Sequence, residues 1–123
     1  MIEIAKRAVA CKGWRWMPGM LTMDGRRVVG VDGDVLVLHY ADEHKCYQRW
    51  TEDAEPDLGD PATLGCLLAL VREARNTPYG NVAVVIVNDA PRLAFVGGLT
   101  VAERFFVATT EAEALVAALE AAP

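Results

Sequence analysis

Two Asp-Gly pairs spaced eight residues apart, Asp24-Gly25 and Asp32-Gly33, constrain the fold more than anything else in this chain. Both central positions of a type I′ turn need positive φ, which Asp tolerates and Gly adopts freely, so each pair reads as a two-residue hairpin loop. Between them lies RRVVGV, after them DVLVLHY, and beyond a turn at ADEH comes KCYQRW, all rich in residues that suit a pleated surface. The spacing predicts an antiparallel meander from Leu21 to Trp50.

On either side of this meander the hydrophobic period changes. Residues 2 to 11 set Ile2, Ala5, Ala8 and Val9 on one side of a helical wheel, and Gly13 stands where a C-terminal cap belongs. Trp14 and Trp16 flank Arg15, the pattern of a short strand with both indoles on one face. Met17-Pro18-Gly19-Met20 has the chemistry of a type II turn. Residues 51 to 61, TEDAEPDLGDP, read as a solvated acidic loop that crosses between layers. Asp60 then caps a helix with Pro61 at its first position, running to Asn76 and apolar enough to be buried on more than one side.

Downstream, VAVVIV is β-branched and short, DAPR interrupts it, and LAFVGG and TVAERFFVAT suggest further antiparallel strands. Thr110 with Glu113 forms a capping box ahead of a final helix, EAEALVAALEAA. The expectation is a single α+β domain over residues 1–123. Its mainly antiparallel sheet, of about six to eight strands, carries the helices packed on it as a helix/sheet/helix sandwich.

A 123-residue chain that is 53% apolar and 24% charged has the makings of a real core. A net charge of −5 argues against general nucleic-acid binding, because phosphate affinity is built from an excess of Lys and Arg. Charge of that size, spread along the chain, is also a poor imitation of DNA. Cys11, Cys46 and Cys66 are an odd number without CxxC spacing, which fits a reducing compartment. The first ten residues carry Glu3, Lys6 and Arg7, and the longest apolar run, Leu64 to Val71, falls far short of a bilayer span. The expected location is a cytoplasm, with no membrane partner.

The stretch CKGWRWMPGM, residues 11 to 20, is the most tempting site. Trp14 and Trp16 offer π faces beside Lys12 and Arg15, which suits a base and a phosphate, while large aromatics equally serve to anchor a sheet on a helix. A second cluster comprises His39, Tyr40, His44, Tyr47, Arg49 and Trp50. With the strands paired around ADEH, Tyr47 and Arg49 share one face and Cys46, Gln48 and Trp50 the other, as at a partner surface or a pocket rim. His39, His44 and Cys46 match no established zinc spacing, and the acidic loop does not reproduce an EF-hand. No metal site and no cofactor is implied.

Covalent chemistry is poorly provided for. The 123 residues contain no serine, the cysteines lack a well-placed base, and neither GVDGDV nor FVGGLT fits a phosphate-binding glycine signature. No catalytic residue is assigned.

In order, a short helix leading into GWRW, the helix of PDLGDPATLGCLLALVREA, a strand pair and a closing TTEAEALVAALEAA helix resemble the phage ABA-sandwich domain family of small phage and prophage proteins. The matching blocks are residues 11–17, 56–75 and 108–121, about a third of the chain, whereas the meander from Leu21 to Trp50 is longer than the connection this family would have. The resemblance implies a phage origin and helices on both sides of a sheet, and it carries over no catalytic residue. The resulting expectation is a small phage-encoded, non-enzymatic binding protein, a host-defence antagonist. It would block a host protein or sequester a nucleotide signal, with Arg15, Arg26 or Arg27 reading phosphate and Trp14, Trp16, Tyr47, Arg49 and Trp50 completing the contact surface. The alternatives are an accessory role in phage assembly or a small enzyme. An open sheet edge further suggests a homo-oligomer.

Overall fold

The computed structural model describes residues 2–39, 46–74, 82–87, 90–95, 104–108 and 110–122. Its elements run α1 (Ile2–Ala10), β1 (Arg27–Asp32), β2 (Val35–His39), β3 (Cys46–Trp50), a 3-10 turn (Thr51–Asp53), α2 (Pro61–Ala74), β4 (Val82–Val87), β5 (Ala90–Phe95), β6 (Arg104–Val107) and α3 (Glu111–Glu120). The class is α+β. The described strands form two antiparallel three-stranded sheets, β1-β2-β3 and β4-β5-β6, where a single broad sheet was expected.

The first sheet follows the meander, with adjusted turns. Asp32 pairs with Val35, so the two-residue loop is Gly33-Asp34, one position later than the Asp-Gly pair suggests, and Gly33 takes φ +57°. Around Asp24-Gly25 the loop is longer. The Gly25 N–H donates to Thr22 O and the Thr22 N–H to Arg26 O, both at 2.9 Å, so three residues lie inside the loop and Gly25, at φ +85°, closes it. The buried Thr22 hydroxyl, which accepts the Arg26 N–H at 3.0 Å, holds this wider form. The type II turn is present: the Met20 N–H reaches Met17 O at 3.2 Å with Gly19 at φ +100°.

Two cores share α2. On one stripe, Leu70 joins Trp16, Met20, Val28, Leu36, Leu38 and Ala54, sealing the inner face of the first sheet, with Cys66 packed alongside. On the neighbouring stripe, Leu67 and Val71 join Ala8 of α1, Leu58 and the buried residues of α3. These two stripes satisfy the expectation that α2 is buried on more than one side. Strands β5 and β6 lie against α3, and β4 touches α2. Pro91 sits at the end of β5, beyond the β5–β6 ladder that starts at Arg92, so its missing N–H breaks no rung between those strands.

Caps and joints are polar and specific. Asp60 Oδ2 accepts the Thr63 N–H at 3.0 Å and the Thr63 hydroxyl at 2.9 Å, and Thr63 Oγ1 in turn accepts the Leu21 N–H at 2.9 Å. Thr110 Oγ1 accepts the Glu113 N–H at 3.2 Å, as the capping box requires.

Two local expectations are corrected. Residues 14–17 form no strand, because their neighbours are the α1 exit and the Met17–Met20 turn; Trp14 bonds back to Cys11 O at 3.1 Å. Gly13 is absent from the positive-φ glycines, so it is not a left-handed cap. Its value is steric: a Cβ there would meet Leu119 Cδ1 at 3.0 Å and the Ala74 Cβ at 3.2 Å. The absence of a side chain lets the α1 exit press against both α2 and α3.

The segment 54–58 is likewise more than a solvated loop. Ala54, Pro56 and Leu58 are buried alternately, Thr22 and Pro56 form a β-bridge, and the Met23 and Asp57 N–H groups bond to Glu55 O and Leu21 O across it. Its acidic residues face out while every second residue faces in.

Candidate functional site

The residues singled out in the sequence fall into two neighbourhoods. The first is the α1 exit. Trp16 is 7% exposed and belongs to the sheet core. Trp14 is half-buried, packs against both cores, and meets Trp16 edge-on with ring centroids 5.6 Å apart at 82°. The pair therefore works as a joint between the sheet and the helices. The Trp14 Nε1 is buried and has no hydrogen-bond partner among the described residues. One side of Trp14 lines a shallow cavity of about 350 Å³ with Lys12, Gly13, Arg15, Leu70, Glu73 and Ala74. Arg15 is tied to Glu73 at 2.5 Å.

A larger depression of about 520 Å³ adjoins it through Lys12, Gly13 and Ala74, lined also by Arg7, Cys11, Leu119 and Glu120. Arg7 grips Glu120 through two contacts of 2.5 and 3.3 Å, and this bond to Arg7 holds the Glu120 carboxyl below the usual carboxylate range. Cys11 donates its thiol to Arg7 O, and burial pushes that thiol up. Burial does the same to Cys66. A thiol so shifted is a poor nucleophile at neutral pH.

The second neighbourhood is β3. Leu36 pairs with Arg49 and Leu38 with Tyr47, while Val35 pairs with Trp50, Val37 with Gln48 and His39 with Cys46. The register thus places Tyr47 and Arg49 on the inner face and Cys46, Gln48 and Trp50 on the outer, as the alternation required. On the inner side, Asp24 is held by Arg49 at 2.9 Å and Arg26 at 3.4 Å, it accepts the Thr22 hydroxyl, and Arg26 lies 5.8 Å from the Tyr47 ring centroid. Burial alone would push the Asp24 carboxyl up, but the Thr22 and Arg49 bonds and the two guanidinium charges outweigh it and hold it low.

Arg27 completes the inventory. Its guanidinium donates to Asp60 Oδ2 at 2.7 Å and to Gly19 O at 3.0 Å, and that bond, ahead of burial, sets the Asp60 carboxyl below its ordinary value. Arg15, Arg26, Arg27 and Arg49 are thus all engaged by carboxylates, and Arg15 shares a cavity with an indole.

What remains open is the outer side of the first sheet. Of the five exposed large hydrophobics among the described residues, Trp50, at 58% exposure, lies on the outer face of β3 and Val29 lies in β1, whereas Val31 pairs with Leu36 and so shares the inner face, and Met23 belongs to the loop before β1. On the other side of β3, a cleft of about 230 Å³ is lined by Met23, Asp24, Arg49, Glu52, Asp53 and Glu55. Sequence reasoning had assigned Glu52, Asp53 and Glu55 only to solvent. The alternation of Ala54, Pro56 and Leu58 is the signal that the segment after the 3-10 turn is extended and anchored, which sets the backbone from which Glu55 projects.

Tyr40 and His44 lie outside the described residues. Among the described residues no group of three or more His, Cys, Asp or Glu side chains is placed to hold a metal, and no helix is long and apolar enough to cross a membrane. Comparison with known protein families, curated proteins and solved structures gives no match.

Proposed function

We propose that this chain is a non-enzymatic binding protein that holds a protein partner on the outer side of the β1–β3 sheet, around Trp50. The observation that carries this reading is the 58% exposure of Trp50 on the outer face of β3, with Val29 of β1 a further exposed apolar side chain of the same sheet. Indoles cost little entropy to immobilise and dominate binding energy where they are buried at interfaces. The phage resemblance in residues 11–17, 56–75 and 108–121 supports a phage-encoded chain, and the role we assign to its exposed surface is to block a host protein, as an antagonist of bacterial defence would.

The test is affinity purification of the tagged chain from bacterial lysate, followed by titration of the purified partner against wild type and Trp50→Ser. The expected result is one host protein whose Kd rises at least about tenfold in Trp50→Ser, since hot-spot aromatics commonly carry that much. Equal affinity of the variant would overturn the reading. So would turnover of a substrate by the purified chain that is lost when one polar residue is replaced.

A second reading rests on the cavity that Lys12, Trp14 and Arg15 share. There a nucleotide would stack on the exposed side of Trp14 and displace Glu73 from Arg15. A thermal shift with cyclic nucleotides that vanishes in Arg15→Gln supports it, and no shift across a panel removes it.

A further inference from the structure

We infer that the edge of β3 that no described strand covers docks an extended polypeptide segment in which apolar and basic side chains alternate. The inference rests on the reading that the outer side of this sheet is a protein-binding surface, and it specifies the chemistry of the partner. In the order β1-β2-β3, β3 is an edge strand, and among the described residues no strand pairs with its far side. Such an edge offers backbone donors and acceptors to an added strand.

The two faces along that edge differ in chemistry. Trp50 lies on the outer face opposite Val35. Arg49 points to the inner face, where the cleft holds four carboxylates, Asp24, Glu52, Asp53 and Glu55, against one guanidinium. Asp24 is already engaged by Arg49 and Arg26, whereas the Glu52, Asp53 and Glu55 side chains have no cationic partner among the described residues. Side chains of an extended segment point alternately to the two faces. A strand laid along β3 therefore sends alternate side chains to the outer face, where it passes Cys46, Gln48 and finally Trp50, and the intervening ones to the inner face, where those at the Trp50 end meet the carboxylates. Apolar residues suit the first set and Lys or Arg the second.

Charge decides against the other occupants of an open edge. A second copy of this chain, at net −5, would bring the same carboxylates against themselves. Nucleic acid and anionic lipid are repelled by the same cleft.

The test uses a fluorescently labelled peptide of about seven alternating lysine and valine residues, enough to cover the strand, titrated by anisotropy into the full chain. Binding is expected, weakening with added salt and at least about tenfold in the triple variant Glu52→Gln, Asp53→Asn, Glu55→Gln and again in Trp50→Ser. A peptide alternating glutamate and valine should not bind. Circular dichroism and Tm of each variant establish that it is folded.

Failure of the lysine-valine peptide to bind overturns the inference, as does equal binding by the triple variant. A homodimer in light scattering that Trp50→Ser dissociates also overturns it, because the edge is then filled by a second copy. If the peptide fails while capture of a host protein still depends on Trp50, the binding-surface reading stands and only the alternating basic strand falls. If capture is also indifferent to Trp50, both fall.

Discussion

Trp16 and Trp50 are the same residue put to opposite uses. Trp16, with its edge-on neighbour Trp14, fills the seam between the first sheet and α2, and the basic residues nearby are drawn to carboxylates, Arg15 to Glu73 and Arg27 to Asp60. Trp50 ends an edge strand with most of its surface in water, next to carboxylates that lack cationic partners among the described residues. The richest stretch of residue types, CKGWRW, is consumed by architecture, while the plainer strand CYQRW keeps Trp50 outward and the turn after it keeps Glu52 and Asp53 exposed. Residue type proposes a site, but neighbours of opposite charge and the packing of faces decide whether it stays available.

Mutations should separate the two regions by size of effect. Trp16→Ala removes a buried indole from the sheet core and should cost about 3–5 kcal/mol in chemical denaturation. A loss below about 1 kcal/mol would mean that the seam does not depend on it. Gly13→Ala forces a Cβ against Ala74 and Leu119 and should cost about 1–3 kcal/mol. A neutral or stabilising result would show that the α1 exit can relax away from the other helices.

Asp60→Asn weakens both the helix cap and the bond to Arg27 and should cost about 1–2 kcal/mol near neutral pH. The pH dependence has a definite sign. Because the folded Asp60 carboxyl lies below its ordinary value, chiefly through Arg27, its contribution is complete above the unfolded value of about 4 and is lost as pH falls through the folded value. Denaturation curves of Asp60→Asn should therefore lack part of the acid-side slope of wild type, and parallel slopes would remove Asp60 from the account. Arg15→Gln, which breaks an exposed pair, should cost less than about 1 kcal/mol. Trp50→Ser should change stability by no more than about 0.5 kcal/mol, and it should abolish the most accessible component in acrylamide quenching of tryptophan fluorescence.

Local signals carried far into this fold. Turn chemistry located the meander, the Asp60-Pro61 and Thr110 starts marked α2 and α3, and period-two alternation gave the faces of β3 correctly. What they could not give was tertiary. The division of the strands into two sheets depends on which helix each strand packs against, and that is a matter of contacts distant in sequence. Gly13 looked like a cap because cap glycines and close-approach glycines are identical in sequence; only the Leu119 and Ala74 neighbours distinguish them. The arginines looked available because Glu73 and Asp60 are far from Arg15 and Arg27 along the chain. Segment 54–58 was legible but masked, its inward alternation of Ala54, Pro56 and Leu58 hidden under a run of acidic residues.

Amide hydrogen exchange on the chain alone and with its captured partner tests most directly where the molecule does its work. Protection should appear in β3 and the adjoining residues 50–55, with the Lys12–Arg15 stretch unchanged. Protection confined to Lys12–Arg15 and the end of α2, with β3 exchanging as before, would contradict the assignment of binding to the outer sheet.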